Sequence, residues 1–206
     1  MLEIGRAHGY MAAMNLVLRS ERLLLRPLAE TDLDVFIEIL SDPAVMKYVG
    51  GKTYTIDQVV QELPTATRRC AGGCIGIWCV IDQSTKEKLG YALLLPLPIE
   101  EKDTNWDLVV GDELPDCEVE IGYLLKKSAW GKGYATEACK RLLKFAFEET
   151  RLKEVVAVTN PKNMASQNVL RKSGLIEEGM RRAYASQCPG FRITRQQWSQ
   201  RNQNAS

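Results

Sequence analysis

The chain has 206 residues, 45% of them hydrophobic and 26% charged, and its 27 basic and 26 acidic side chains nearly balance. A chain of this length and composition buries enough surface to fold as a single domain, and its neutrality argues against a dedicated nucleic-acid-binding protein. No apolar run is long enough to cross a bilayer and the N-terminus lacks a secretory signal, so we expect a cytoplasmic protein with neither a nucleic-acid nor a membrane partner.

The spacing of apolar residues predicts a mixed α+β domain over residues 14–200, preceded by a mobile extension over residues 1–13 and followed by a tail over residues 201–206. No internal repeat or domain boundary interrupts it. The predicted elements begin with a strand over Leu16–Pro27, a helix capped by Thr31 and broken at Asp42-Pro43, a helix from near Thr55 limited or kinked by Pro64, and a hairpin of Ile75–Ile81 and Lys88–Leu95. A long acidic loop to Asp116, a strand over Cys117–Leu125, a helix over Gly133–Glu149 and a strand over Val155–Thr159 follow. The last predicted elements are a helix over Ala165–Ser173 closed by Gly174 and two strands near Leu175–Tyr184 and Phe191–Trp198.

The scarcity of histidine and the spacing of the cysteines limit the chemistry. The one histidine, His8, lies in the irregular N-terminal segment, so the sequence offers no base for a Ser-His-Asp or Cys-His mechanism. The six cysteines contain no CxxC pair, and we expect them to be reduced rather than to form disulfides or a zinc site. We therefore predict a functional site without a metal.

Charge is distributed unevenly along the chain. Residues 100–120 hold nine acidic residues and one lysine, whereas residues 121–206 hold 16 basic and 6 acidic residues. The basic segment would attract a polyanionic ligand and the acidic stretch a cationic one, because the local electrostatic potential raises the local concentration of a ligand of opposite charge. By charge alone, the simpler interpretation is that charged residues of the same sign happen to be grouped on solvent-exposed faces without binding a ligand.

A glycine-containing turn lies between the strand that ends at Leu125 and the long helix that follows it. Gly131 and Gly133 allow close approach of a ligand, and the backbone amides of residues 131–135 would lie at the positive end of the helix dipole, where a pyrophosphate binds well. A tight connection without a ligand is equally compatible with this pattern. The turn matches neither GxGxxG, since Thr136 occupies the third glycine position, nor the P-loop motif.

Four blocks in the same order resemble one family. Trp130–Ala135, WGKGYA, resembles the acetyl-CoA pyrophosphate loop of the GNAT N-acetyltransferase superfamily. Trp130 stands where glutamine or arginine is usual, a replacement typical of the ribosomal-protein N-acetyltransferase (RimJ/RimL-like) branch. The opening strand Ser20–Asp32, the strand block Val119–Leu125 and the Asn-x-x-Asn-x-x-Ser block within Asn160–Leu175 also resemble that branch.

The resemblance implies a single-domain GNAT fold, a mixed and twisted β-sheet flanked by helices and splayed between the family's fourth and fifth strands. Acetyl-CoA would be the acetyl donor, with its pantetheine arm in the splay and without a metal. The residues assigned to cofactor binding are Leu124 and Leu125 through their backbone groups, the loop residues Trp130, Gly131, Lys132, Gly133, Tyr134 and Ala135, and Asn163. A homodimer is also compatible with the resemblance, because the last strands of this fold often pair.

The implied mechanism is direct attack of an amine on the acetyl thioester in a ternary complex, which requires a proton acceptor. Without a usable histidine, that acceptor is a carboxylate or an ordered water. Glu118 and Glu120 share one face of a strand, so we expect repulsion between their charges to raise the pKa of one of them. Glu120 matches the family's strand glutamate, and we predict it as the base or amine-binding group; a solvent-facing carboxylate is the alternative.

The proton donor to the thiolate is harder to identify. Many family members carry a tyrosine seven residues after the asparagine, but counting from Asn163 that position is Leu170. Ser166, the serine of the signature, is the remaining catalytic candidate, through a hydrogen bond to the sulfur. Hydrogen bonding at the start of the helix is as compatible with Ser166, and Asn163 can both contact the pantetheine arm and cap that helix.

The acceptor is predicted only as a class. The acidic stretch would attract a protonated primary amine, such as a protein N-terminus, a polyamine or an aminoglycoside. Trp106 would cover the acceptor or pack on the domain, and Arg181 and Arg182 would bind an acceptor carboxylate or face solvent. Two other interpretations stay open: a GNAT-fold protein that binds CoA as a sensor or scaffold without turnover, and an unrelated anion-binding domain.

Overall fold

A computed structural model describes residues 14–203, so the predicted extension over residues 1–13, His8 included, and residues 204–206 lie outside the described part. Within residues 14–203, eight strands form one sheet: β1 (Leu18–Arg19), β2 (Leu23–Pro27), β3 (Gly76–Asp82), β4 (Lys88–Pro96), β5 (Val119–Leu125), β6 (Glu154–Val158), β7 (Ile176–Ala183) and β8 (Ser186–Thr194). The α-helices of this range are α1 (Leu33–Leu40), α2 (Pro43–Met46), α3 (Ile56–Ala66), α4 (Tyr134–Glu148), α5 (Met164–Ser173) and α6 (Arg195–Gln203). The predicted fold class, a mixed sheet flanked by helices, is confirmed.

The strands are ordered β1-β2-β3-β4-β5-β6-β8-β7 across the sheet. Pairs are antiparallel except for β5 and β6, which run parallel. The predicted strand Leu16–Pro27 is two strands, because the chain turns back after β1 and the Ser20 amide donates to the Leu23 carbonyl at 2.9 Å. The sheet packs on α4, where Trp78 of β3 meets Phe145 with ring centroids 5.5 Å apart.

The N-terminus of α1 differs from the prediction. A short 3-10 turn over Glu30–Asp32 precedes the helix, and the N-cap is Asp32 rather than Thr31. The fully buried Asp32 carboxylate accepts a hydrogen bond from Arg26 at 2.7 Å and pairs with Lys88 at 3.1 Å. The Asp32 carboxylate is thus held by two basic side chains at the residue where this helix begins.

The boundaries of α3 and the end of α1 can be compared with the capping and proline signals in the sequence. Helix α3 begins near Thr55 as predicted, and the structure shows Thr55 as its N-cap, in a capping box with Gln58. Pro64 does not end this helix, which continues to Ala66. The Asp42-Pro43 pair ends α1 as predicted and also starts the short α2, with aspartate as N-cap and proline in the first turn.

The C-terminal segment corrects the last predicted strand. Strand β8 ends at Thr194, and α6 follows and extends past the predicted domain end at residue 200. Trp198 therefore lies on a helix, with its ring 5.9 Å from that of Phe147. None of the helices in residues 14–203 is both long enough and apolar enough to cross a membrane.

The sheet opens between β5 and β6. Strand β5 pairs with β4 along the whole length of β5, from Leu125 opposite Gly90 to Val119 opposite Pro96. Strands β5 and β6 share one registered pair, Glu120 opposite Val156, and separate beyond it. This is the predicted splay; the strands counted as fourth and fifth in the resemblance are the fifth and sixth here, because the short β1 precedes them.

Candidate active site

A cavity of about 760 Å³ lies where β5 and β6 separate. Four predicted site residues line it: Glu120 and Leu124 on β5, and Asn163 and Ser166 at the start of α5. The predicted pyrophosphate loop, residues 130–135, lies outside this cavity, at the N-terminus of α4. The structure therefore brings the proposed chemical groups together in one cavity and sets the proposed phosphate site apart from it.

Glu120 is buried at one wall of the cavity, with 6% of its surface exposed. The Tyr184 hydroxyl donates a hydrogen bond to its Oε1. Burial raises the pKa of Glu120 to about 7, with a smaller contribution from the nearby charge of Asp103, while the hydrogen bond from Tyr184 opposes the rise. A carboxyl with a pKa near 7 exchanges a proton readily at neutral pH, as a general base must.

Glu118 has a different environment from Glu120. Its carboxylate is held by ion pairs with Arg181 and with Arg192, the latter at 2.6 Å. Burial opposes its ionisation, but the hydrogen bonds from the two arginines hold the pKa of Glu118 below its ordinary value. The expected repulsion between two carboxylates is therefore not what raises the pKa of Glu120. Arg181 is occupied by Glu118.

Asn163 and Ser166 form the start of α5. Asn163 is the N-cap, and its Oδ1 accepts a hydrogen bond from the Ser166 amide at 3.1 Å, so the capping interpretation holds. The Tyr123 hydroxyl lies 3.1 Å from both the carbonyl oxygen and the Oγ of Ser166. Leu170 is buried in the core. The phenol near Ser166 thus comes from β5 rather than from α5.

The alternation of backbone hydrogen bonds along β5 determines which groups face the opening. The Lys126 amide donates to the Leu89 carbonyl of the neighbouring strand at 2.9 Å, and antiparallel ladders bond at every second residue. The backbone groups of Leu124 are therefore directed at β4, which corrects their predicted direction toward the pantetheine arm. The groups that face the opening are those of Tyr123 and Leu125.

The loop before α4 has the backbone conformation of an anion site. Gly131 and Gly133 have φ values of +72° and +82°, and a Cβ on Gly131 would meet no atom within 4 Å. The amides of residues 131–136 donate no hydrogen bond to any group in residues 14–203. Unpaired amides at a helix N-terminus bind anions, so this loop fits the pyrophosphate of acetyl-CoA.

The side chains of the loop hold its shape. The Trp130 indole N–H donates to the Leu125 carbonyl at 2.7 Å, which leaves the Leu125 amide as the strand-end group toward the opening. The Tyr134 hydroxyl donates to the Asp82 carboxylate at 2.8 Å. Neither side chain is free to contact a phosphate through these polar atoms, so their role at the loop is structural and the backbone amides remain for the ligand.

Arg22 stands beside this loop and was not identified from the sequence. Its Nη1 donates to the Lys132 carbonyl at 3.0 Å, and it pairs with Glu137 in the first turn of α4 at 2.7 Å. The guanidinium lies 4.7 Å from the centre of the Tyr134 ring. Arg22 thus brings positive charge to the proposed pyrophosphate site and fixes the loop to the start of β2.

The acidic loop contributes one edge of the cavity, through Lys102, Asp103, Thr104 and Trp106. Trp106 is partly buried against the core, as the packing alternative predicts, and it also lines the cavity. Burial raises the pKa of Tyr54, and the charge of Asp103 adds to that rise. Arg182 pairs with Glu100 at 2.7 Å at the surface.

Tyr123 and Tyr184 are site residues that sequence reasoning missed. Tyr123 lies inside the strand block that resembles the family, but its contact with Ser166 depends on how α5 packs. Tyr184 lies between the last two strands, where no local pattern points to Glu120. Arg22, like Tyr123, lies in a block that resembles the family, but its contacts with Lys132 and Glu137 also depend on tertiary packing.

Comparison with known proteins shows which protein family the chain matches. Residues 22–176 match the family model described as an acetyltransferase (GNAT) domain. The chain is 30% identical over 190 residues to FsC-acetyl coenzyme A-N(2)-transacetylase of Aspergillus fumigatus, a match that covers 88% of this chain and 77% of the relative.

Two solved structures share the fold. A GNAT-family acetyltransferase from Bacillus anthracis superposes with a TM-score of 0.68 at 23% identity, covering 87% of this chain and 99% of the other. AAC(6')-Ib in complex with ribostamycin and coenzyme A gives a TM-score of 0.68 at 21% identity, covering 87% and 97%. At these identities, the structural likeness establishes the fold alone.

Proposed function

The chain belongs to the GNAT family of acetyltransferases and is an acetyl-CoA-dependent N-acetyltransferase, and from that premise we propose that its acceptor is a primary amine deprotonated by Glu120. One observation carries this proposal. A buried carboxyl with a pKa of about 7 lines the cavity at the splay, beside the acidic loop. An ammonium group drawn in by that loop would meet a carboxyl that is partly ionised at neutral pH and can accept its proton.

Binding of acetyl-CoA is proposed to use two regions of the chain. The unpaired amides of residues 131–136 and the nearby Arg22 would hold the pyrophosphate. The splay-facing backbone of Tyr123 and the Leu125 amide would pair with the pantetheine arm as an added strand does, with Asn163 at the other side of the opening. When bound, acetyl-CoA supplies a thioester whose carbonyl carbon is open to attack by the amine.

Glu120 and Ser166 have separate roles in the proposed mechanism. The Glu120 carboxylate takes a proton from the acceptor nitrogen, which then carries the lone pair that forms the new amide bond. The Ser166 hydroxyl donates a hydrogen bond toward the departing sulfur, supported by the neighbouring Tyr123 hydroxyl at 3.1 Å. An ordered water between the amine and Glu120 is compatible with the same scheme.

Beyond membership of the family, we propose a branch of the family, a range of acceptor amines and a homodimer. We assign the chain to the RimJ/RimL-like branch on the basis of Trp130, and its acceptors would then include protein N-termini. Two of the proteins named above are an FsC-acetyl coenzyme A-N(2)-transacetylase and a protein with ribostamycin bound, so small amines belong in the same screen. A homodimer through β7 is supported by its position at the sheet edge and by its exposed Ile176 and Met180.

Substitution of Glu120 tests this proposal. Glu120→Gln is expected to lower turnover at least about 100-fold with peptide N-termini, polyamines or aminoglycosides, since general bases contribute roughly 10²–10⁴. CoA affinity, measured by calorimetry, is expected to stay within about threefold of wild type, because the loop amides are untouched. Glu113→Gln, which removes a carboxylate of the acidic loop outside the cavity, is the matched control and retains turnover.

Two outcomes would contradict the proposal. Full turnover by Glu120→Gln would exclude Glu120 as the base. Binding of CoA without acetylation of any amine in the screen would favour the sensor or scaffold interpretation instead.

A further inference from the structure

The turn between β7 and β8 has an unusual backbone. Its two central residues, Tyr184 and Ala185, have φ values of +52° and +53°. Two-residue hairpins need this left-handed conformation, and they normally use Asn-Gly or Asp-Gly because other residues adopt it unfavourably. A Tyr-Ala turn therefore holds strain that a simple hairpin connection does not require.

Contacts with the chain that follows β4 keep the turn in this conformation. The Tyr184 amide donates to the Pro98 carbonyl at 3.0 Å, and the Ala185 amide donates to the Ile99 carbonyl at 2.9 Å. Ala183, just before the turn, is fully buried in a small cluster with Leu97, against which Tyr184 packs. Strain that the surroundings maintain often marks a functional position.

Because the turn is anchored in this way, the Tyr184 side chain is directed at Glu120. The turn belongs to the β6–β8–β7 side of the opening, yet the Tyr184 hydroxyl reaches Oε1 of Glu120 on β5. The second carboxylate oxygen, Oε2, accepts no hydrogen bond from residues 14–203. The contact thus bridges the two sides of the cavity and leaves one oxygen of Glu120 for a ligand.

We propose that Tyr184 is a positioning residue that holds Oε1 of Glu120, so that Oε2 faces the acceptor amine and receives its proton. This inference rests on the proposed role of Glu120 as the base. The Tyr184 hydroxyl keeps its own proton throughout and donates it in a hydrogen bond to the ionised carboxylate. Nothing is transferred from Tyr184 to the departing sulfur.

The charges around Glu120 explain why a donor is needed there. Asp103 from the acidic loop raises the pKa of Glu120, while Arg181 on β7 and Tyr184 lower it. Cys188 on β8 is a neutral thiol at pH 7, because burial and then the charge of Glu120 raise its pKa. Burial is the largest effect, so without the phenol a larger fraction of the carboxyl would stay protonated at neutral pH, and less of it could act as a base.

Carbon-13 NMR of the full-length protein labelled at the glutamate carboxyl carbons measures this effect without an acceptor. Glu120→Gln identifies the Glu120 resonance, whose midpoint in the wild type is expected near pH 7. In Tyr184→Phe the midpoint is expected to rise by at least about one pH unit, since hydrogen bonds to a charged group are worth about that much. Tyr48→Phe removes a hydroxyl from the same cavity and leaves the midpoint unchanged. An unchanged or lower midpoint in Tyr184→Phe overturns the inference.

A measurement on the wild-type chain covers the case in which Tyr184→Phe fails to fold. With the tyrosine Cζ carbons labelled, one resonance is expected to shift at the same midpoint as the Glu120 carboxyl and to lose that inflection in Glu120→Gln. Absence of any tyrosine resonance that titrates with Glu120 overturns the inference.

Kinetics with an identified acceptor separate this inference from the proposed function. If Glu120→Gln keeps full turnover, the proposed base is wrong. If Glu120→Gln loses turnover but Tyr184→Phe leaves the acid limb of kcat/KM in place, only the role of Tyr184 is wrong. The expected result is an acid limb that moves to higher pH in Tyr184→Phe, with kcat partly recovered at alkaline pH.

Discussion

At the scale of single residues, Glu120 links function to stability. Its folded pKa of about 7 lies above the ordinary value of 4.5, because the folded chain buries it. The folded state therefore binds the proton more tightly than the unfolded state does, and stability is lost as pH rises from about 4.5 to 7. Above pH 7 the Glu120 carboxylate is ionised although it is buried, which lowers the stability of the folded protein. Such a cost is expected at a position that serves as a base.

Glu120→Gln is expected to stabilise the protein in a pH-dependent way. The free energy of unfolding of Glu120→Gln should exceed that of the wild type by roughly 3 kcal/mol more at pH 8 than at pH 4.5, from the pKa difference. Glutamine keeps an oxygen that can accept from Tyr184 but has no charge to bury. Urea denaturation of both chains at pH 4.5, 6 and 8 measures the difference, and a pH-independent offset would contradict the proposed burial.

At the scale of elements, the start of α4 is built for an anion. Gly133 is the N-cap in a left-handed conformation, and no side chain accepts from the first amides of the helix. The loop supplies donors by its backbone, and its side chains Trp130 and Tyr134 point their polar atoms at Leu125 and Asp82. Affinity for a pyrophosphate should thus depend on local charge and backbone shape more than on any one side chain.

Gly133→Asp compared with Gly133→Asn isolates the charge. Both residues tolerate a left-handed backbone, and a Cβ at this position lies 3.4 Å from Arg22 Nη2 in either case. The aspartate variant is expected to bind CoA at least about tenfold more weakly than the asparagine variant at low salt, with a smaller difference at high salt. Calorimetry at both salt concentrations measures this, and equal affinities would move the pyrophosphate site away from this loop.

At the scale of the whole molecule, an ion cluster joins the two sides of the splayed sheet. Glu118, just before β5, pairs with Arg181 of β7 and Arg192 of β8, and Arg192 also pairs with Glu154 and, at 2.5 Å, with Glu178. Beyond these pairs, β5 and β6 share one registered backbone pair. The cluster therefore helps to hold the β7–β8 hairpin, and with it Tyr184, against β5.

Glu118→Gln is expected to loosen the β7–β8 hairpin more than the rest of the sheet. Loss of the charge should cost about 1 kcal/mol locally, a moderate value because the pairs are partly exposed. Hydrogen exchange should accelerate for β7 and β8 amides and stay unchanged for β3, whereas Glu177→Gln, which breaks an exposed pair with Arg171, should change neither. Uniform acceleration across the sheet would show that the cluster has no local role.

Local sequence predicted the parts of the fold that local interactions determine. The start of α3 near Thr55, the Gly174 that closes α5 and the glycine turn before α4 depend on neighbours within a few residues. The polar helix α6 was missed because Arg195–Gln203 has no apolar period, and its place depends on the Phe147–Trp198 contact.

What the sequence alone determined about this protein is its fold class, its family and the position of the loop proposed for pyrophosphate, because these follow from periodicity, turn chemistry and ordered motifs. Only the tertiary structure distinguished Glu118 from Glu120, two carboxylates that the sequence pattern places on one face of one predicted strand. The first meets two arginines and the second is buried against Tyr184. A pKa depends on burial and on charges that arrive from distant segments, and no local pattern specifies them.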